Sequence, residues 1–91
     1  MGRRRSHEDI VNSDFVSISE LVRLTDIRYS TIKFYTEEGM LPFEQEDTRL
    51  TRRYPRISAS ERLEKISELK QRGLTILEIK KELKIINDIE G

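Results

Sequence analysis

A mainly α-helical domain with one short β-hairpin is the fold class that three features of this sequence predict. Two capping boxes mark helix starts, and two glycines followed by breaks in periodicity mark helix ends. A segment rich in β-forming residues and arginines separates the predicted helices into two pairs. The chain has 91 residues, which is enough for a single domain.

The first predicted helix covers residues 18–25. Ser17 and Glu20 have the spacing of a capping box, in which each side chain accepts a hydrogen bond from the other residue's backbone N–H. Ile18, Leu21 and Val22 then recur at helical spacing, so the helix should bury one face. A tight connection at residues 26–27 should follow.

The second predicted helix covers about residues 29–38 and ends at Gly39, which can adopt a left-handed backbone conformation. Ile32 and Tyr35 should face the first helix, because side chains three positions apart share one face. Two short helices with a tight connection form a helix-turn-helix, whose second helix can enter the major groove of DNA.

From residue 43 to residue 58 the helical periodicity disappears. Residues 48–57 combine β-forming side chains with four arginines and no acid. The segment predicts a short hairpin, or wing, which Pro55 restricts to a sheet edge because proline has no backbone donor.

Two further helices are predicted after the wing. The first covers about residues 60–72 and ends at Gly73, and a capping box at residues 75–78 begins the second. The inward residues of the two helices are expected to be Leu63, Ile66, Leu69, Ile76, Ile79, Leu83 and Ile86. Ile85 and Ile89 form an extra apolar pair, for which core packing is favoured over a partner-binding stripe.

Composition restricts the kinds of function. The chain has no cysteine and one histidine, so we expect no disulfide, no metal site and no cofactor. No nucleophile, base and orienting group stand out, which predicts a protein that is not an enzyme. No apolar run approaches the length of a membrane span and no secretory signal is recognisable, so a cytoplasmic, nucleoid-associated location is expected.

The charges balance overall but are unevenly distributed. The chain has 17 basic and 17 acidic residues. Arginines cluster at residues 3–5 and 49–56, whereas acids cluster at 37–38 and 44–47. Such a dipolar surface can bind a polyanion through one face. Residues 1–15 are expected to form a disordered basic arm.

These elements, in this order, resemble the DNA-binding domain of the MerR family over residues 16–84. The closest likeness is residues 30–42, Ser-Thr-Ile-Lys-Phe-Tyr-Thr-Glu-Glu-Gly-Met-Leu-Pro. Residues 52–54, Arg-Arg-Tyr, resemble the wing of the branch that includes the glutamine-synthetase repressor. Lys33 and Phe34 stand where the family usually has an arginine and a tyrosine that contact the DNA backbone.

The resemblance implies a winged helix-turn-helix that binds double-stranded DNA sequence-specifically, as a bacterial transcription regulator. Self-association as a dimer or head-to-tail on DNA is expected, and no small molecule is expected on this domain. An architectural, excisionase-like or chromosome-anchoring DNA-binding protein remains an alternative, as does a protein-interaction module. Residues 85–91 should form the end of the last helix.

The expected DNA-contacting residues come from the second helix and the wing. They are Arg28, Tyr29, Ser30, Thr31, Lys33, Phe34, Arg49, Arg52, Arg53, Tyr54 and Arg56. Arg28, Tyr29 and Ser30 should approach base edges, because they begin the second helix. Lys33, Arg52 and Arg53 should hold phosphates, with minor-groove insertion as the alternative for the two arginines. Tyr54 is left open between a DNA contact and the core.

Overall fold

A computed structural model describes residues 6–45 and 51–90, with the backbone alone for 86–90. Its elements are α1 (His7–Val11), β1 (Phe15–Val16), α2 (Ile18–Thr25), α3 (Tyr29–Glu37), β2 (Tyr54–Pro55), α4 (Arg56–Gln71) and α5 (Ile76–Glu90). The prediction of a mainly α-helical, winged helix-turn-helix fold is confirmed.

Helix α2 begins and ends where the sequence predicts. Ser17 Oγ accepts a hydrogen bond from the Glu20 N–H at 3.2 Å, and the Glu20 carboxylate accepts one from the Ser17 N–H at 2.9 Å. Asp26 ends the helix in a left-handed conformation with φ 59°, which a short polar residue tolerates better than most. A short connection at residues 26–28 then leads into α3.

Helix α3 packs against the core with the side that was predicted to face the first helix. Ile32 and Tyr35 are buried, and Thr36 is buried beside them. Gly39, at φ 74°, ends the helix as predicted, and the Met40 N–H then donates to the Tyr35 carbonyl at 2.9 Å. The chain therefore turns away directly after the helix and presents the opposite side of α3 to solvent.

The small sheet differs from the predicted hairpin in its partners. β2 pairs antiparallel with β1, with Val16 opposite Tyr54 and Phe15 opposite Pro55. In the structure the wing is instead the segment from Glu44 to Arg53. The backbones of these two residues close it by exchanging hydrogen bonds of 2.7 and 2.9 Å. The prediction placed the whole pairing within 48–57, because sequence patterns do not identify a partner strand so far away in the chain. Residues 46–50, with Arg49, lie outside the described residues.

The prediction of a disordered arm over residues 1–15 is wrong for residues 6–15. Ser6 and Asp9 form a capping box that begins α1, and Ile10 is 0% exposed in the core. Fully burying an isoleucine side chain stabilises a fold by about 1.5–3 kcal/mol, which helps to offset the entropy lost on ordering a short segment. Residues 1–5 lie outside the described residues.

Helix α4 begins one turn earlier than predicted. Pro55, with φ −64°, is the residue before its first turn, a position at which the fixed φ of proline suits a helix start. Ala59, in the first turns, is fully buried and extends the packed face toward the wing. Leu63, Ile66 and Leu69 are buried as predicted.

Helix α5 follows Gly73, whose φ of 92° confirms the predicted stop. The predicted capping box is present, since the Thr75 N–H donates to Glu78 at 2.8 Å and the Glu78 N–H donates to Thr75 Oγ1 at 3.2 Å. Ile79 and Leu83 are buried. Ile85, in contrast, is 52% exposed, so its predicted core packing is wrong; the side chains of residues 86–90 lie outside the description. No described helix is long and apolar enough to cross a membrane.

Candidate nucleic-acid interface

The exposed side of α3 carries the first part of the candidate interface. Tyr29 and Lys33 are one helical turn apart and therefore lie on the same face. Tyr29 is 51% exposed, and Lys33 is also exposed. Ser30 and Arg28 are exposed at the start of the helix, and Arg28 makes no side-chain cap. The first turn of α3 is therefore free to meet a ligand surface.

A groove of about 300 Å³ separates this face of α3 from the described part of the wing. We call it the α3–wing groove. It is lined by Ile18, Tyr29, Lys33, Gln45, Thr51, Arg52 and Tyr54. The fold thus brings Tyr29, Lys33 and Arg52 together, although they come from two separate segments of the chain. No acidic residue lines the groove within the described ranges 6–45 and 51–85.

Among the described wing residues, Arg52 is the cation that borders this groove. Its guanidinium carbon lies 5.2 Å from the centroid of the Phe43 ring, a distance at which a cation is attracted to the ring face. Its Nε is buried and has no hydrogen-bond partner among the residues that the structure describes. A buried donor without a partner destabilises a protein, so the burial of this Nε disfavours the fold locally.

Arg53 occupies the neighbouring position but has a different environment. Its guanidinium carbon lies 5.1 Å from the centroid of the Phe15 ring in β1, and its backbone closes the wing against Glu44. The residue is exposed and is not among the residues that line the α3–wing groove. Its charge is therefore presented from the wing base rather than from inside the groove.

Phe34 and Thr31 also belong to α3 but meet different surroundings. Phe34 is 43% exposed, and its ring centroid lies 5.9 Å from that of Tyr35. Without a hydroxyl group it offers only apolar contact. Thr31 lines a second groove with Ile27 and Tyr35. Because successive helix residues are rotated by about 100°, Thr31 lies on roughly the opposite side of α3 from Tyr29.

Tyr54 was predicted both as a DNA contact and as a possible core residue, and the structure places it in the core. It is 0% exposed, and its hydroxyl oxygen lies 2.9 Å from Thr36 Oγ1. The antiparallel pairing with Val16 turns its side chain into the core. Sequence alone left both readings open, because the register of β2 decides which way each side chain points.

Arg56 is likewise excluded from the α3–wing groove. Its Nε donates to the Ser13 carbonyl at 2.7 Å, and its backbone N–H donates to the Asp14 carbonyl at 2.9 Å. Its side chain lines a separate groove beside Leu24 and Thr25 at the end of α2. Arg56 is the first residue of α4 and does not belong to the wing. Its hydrogen bonds connect α4 to the N-terminal segment instead.

Four residues of the site were not expected there from the sequence, among them Ile18, which was predicted only on the buried face of the first helix. Gln45 and Thr51 line the α3–wing groove, and Phe43 supports Arg52. Gln45 and Phe43 precede the arginine-rich segment, so they fell outside the predicted hairpin. The one available signal was an aromatic residue directly before the acidic run at 44–47, which is too common a pattern to single out.

Residues 16–84 match the family described as MerR HTH family regulatory protein. No curated protein and no solved structure gives a significant match to the chain. The matched segment runs from Val16 in β1 to Lys84 in α5, so it contains the helix-turn-helix, the wing, α4 and the first part of α5. The match covers most of the sequence, and the chain therefore belongs to the MerR family of helix-turn-helix regulatory proteins.

Proposed function

We propose that this chain binds double-stranded DNA sequence-specifically and acts as a bacterial transcription regulator, with α3 in the major groove and the wing beside it. The observation that carries the proposal is the convergence of Tyr29, Lys33 and Arg52 on one groove that has no acidic residue among its described lining residues. Family membership supports the same function.

The charges of the groove fit the phosphate backbone of a duplex. Lys33 lines the groove from α3, and Arg52 lines it from the wing. A DNA backbone that follows the groove would therefore meet both cations. Such contacts give affinity and register but do not identify bases. A phosphate oxygen is a strong acceptor for the N–H donors of an arginine side chain such as that of Arg52.

Base recognition is assigned to the start of α3. The first residues of a recognition helix are the ones that reach base edges in the major groove, and here Arg28, Tyr29 and Ser30 are all exposed. Arg28 is able to donate two hydrogen bonds to guanine, a contact that discriminates by about 1–3 kcal/mol. Arg53 is assigned to phosphate beside the wing.

The experiment that tests this proposal is fluorescence anisotropy with a labelled random duplex at several salt concentrations. We expect binding that weakens steeply as salt rises, because cations on the protein displace counterions condensed on DNA. A folded protein that binds no duplex at low salt would contradict the proposal. Selection from random duplexes then provides the preferred site.

The first variant to test is the double substitution Lys33→Ala with Arg52→Ala. Removing two phosphate contacts should lower affinity for all duplexes and reduce the salt slope by about one to two units. The matched control is Arg72→Ala with Lys81→Ala, since both residues are exposed, do not line the groove and also carry two positive charges. Equal losses in the two variants would show that net charge alone, and not the groove, drives binding.

Self-association is part of the same proposal, as a dimer or head-to-tail on DNA. A two-fold dimer requires inverted half-sites, whereas head-to-tail assembly requires direct repeats. The arrangement of half-sites in the selected duplexes therefore separates a symmetric regulator from an architectural factor. A selected site with one half alone would argue against both arrangements.

A further inference from the structure

A buried pair of hydroxyl groups joins α3 to the base of the wing. The Tyr54 hydroxyl lies 2.9 Å from Thr36 Oγ1, and both residues are almost fully buried. Thr36 Oγ1 also lies 2.8 Å from the Ile32 carbonyl. A carbonyl oxygen cannot donate, so the single proton of Thr36 is directed to Ile32. The Tyr54 hydroxyl must then be the donor to Thr36.

This hydrogen bond connects the two elements that border the α3–wing groove. Thr36 lies one helical turn after Lys33 on α3, whereas Tyr54 directly follows Arg53, which closes the wing against Glu44. The Tyr54 ring centroid is 6.2 Å from that of Phe43, and Phe43 in turn supports the Arg52 guanidinium. One line of contacts therefore runs from the buried side of α3 to the wing cation.

We propose that Tyr54 is a positioning residue, whose hydroxyl fixes the wing relative to α3 and so sets the spacing between Arg52 and Lys33. This inference rests on the proposed DNA-binding function. A protein reads a duplex through contacts whose spacing matches the phosphates and base edges, so misplacement by about an ångström weakens the correct site most. Tyr54 thereby influences DNA recognition without touching DNA.

The direction of the hydrogen bond makes a positioning role separable from a stabilising one. Tyr54→Phe removes a donor and leaves Thr36 still bonded to Ile32, so it creates no unpaired buried donor. Thr36→Val removes the acceptor and leaves the Tyr54 hydroxyl buried without a partner, which is the more damaging change. The double variant removes both polar groups, and replacing both partners by apolar groups of similar shape is close to neutral for stability.

The test compares these three variants with the wild type in urea unfolding, in DNA binding and in amide hydrogen exchange. We expect the unfolding midpoint of Thr36→Val to fall furthest and that of the double variant to return close to the wild-type value. The double variant should nevertheless bind the selected duplex about three- to tenfold more weakly, the factor that corresponds to one typical hydrogen bond. Its binding to a scrambled duplex should change much less.

Hydrogen exchange measures the same effect without DNA. The amides of Glu44 and Arg53, which close the wing, should exchange several-fold faster in the double variant, while the amide of Ile66 in the core of α4 keeps its wild-type rate. Unchanged exchange at the wing base, or unchanged discrimination between duplexes, would overturn the inference. If the wild-type protein binds no duplex in the anisotropy titration, the proposed function itself is refuted. The inference about Tyr54 would then be refuted as well.

Discussion

Single residues at the helix ends mark where several helices of this domain begin and stop. Ser6, Ser17 and Thr75 each cap a helix together with an acidic residue three positions later. These signals are local, because the partners are neighbours in the chain. For the same reason the start of α2 and the stops at Gly39 and Gly73 could be predicted from the sequence alone.

Glu78 is the capping residue whose ionisation should be visible in experiments. Hydrogen bonds from the Thr75 backbone N–H and hydroxyl hold the pKa of the Glu78 carboxyl below its ordinary value of 4.5. A carboxyl with a lowered pKa in the folded state stabilises the fold above its unfolded-state pKa, and this stabilisation is lost as the pH falls through the folded-state pKa.

We therefore expect Glu78→Gln to lower the urea midpoint at pH 7 and to have a smaller effect below the ordinary pKa of 4.5. Glutamine keeps the capping geometry and removes only the charge, so the two proteins become alike once Glu78 is protonated. The measurement is urea unfolding from pH 7 down to pH 3. A difference that stays constant over this range would exclude the charge as its cause.

At the scale of elements, an element could be predicted from the sequence when the residues that form it are close together in the chain. The two helices of the helix-turn-helix were predictable, because Ile32, Tyr35 and the caps follow a short repeating pattern. The pairing of β1 with β2 joins segments on either side of the helix-turn-helix, and no periodicity in the sequence indicates it. The burial of Tyr54 and the removal of Arg56 from the site both follow from this pairing.

Helix α1 was missed for a different reason. It has five residues, most of them polar, and a single buried side chain, so it shows too little periodicity to distinguish it from a polar arm. Its contribution depends on Ile10, which is fully buried. The element therefore belongs to the folded domain, although it precedes the family match that begins at residue 16.

We expect Ile10→Ala to destabilise the protein by about 2–5 kcal/mol, as is usual for truncating a buried isoleucine. His7→Ala in the same helix serves as the control, because His7 is exposed and its loss should change stability by less than about 0.5 kcal/mol. Chemical denaturation of both variants gives the comparison. If both substitutions changed the free energy of unfolding by the same small amount, residues 6–15 would not be part of the folded domain.

At the scale of the whole molecule, the apolar core rather than surface charge holds the helices together. The core includes residues from every helix, with Ile10, Leu21, Ile32, Leu63 and Leu83 as examples. An ion pair also connects α5 to the residue that follows α3, since Lys80 Nζ lies 3.2 Å from Glu38 Oε1. Both side chains are partly exposed, and such pairs contribute little in water.

A double-mutant cycle with Glu38→Gln and Lys80→Met should therefore give a coupling energy below about 1 kcal/mol. Leu83→Ala, in the same helix as Lys80, should cost about 2–5 kcal/mol because Leu83 is buried in the core. Thermal or urea unfolding provides both values. A coupling energy that rivals the effect of Leu83→Ala would mean that the ion pair, and not the core, anchors α5.

Four consecutive residues connect almost every part of this domain. Arg53 closes the wing, Tyr54 reaches α3 and pairs with Val16, Pro55 precedes α4, and Arg56 binds the N-terminal segment. An insertion within 53–56 would shift several of these attachments at once. A change of length between Glu44 and Arg53 would leave them in register. We therefore expect the fold to tolerate a change in wing length better than an insertion within 53–56.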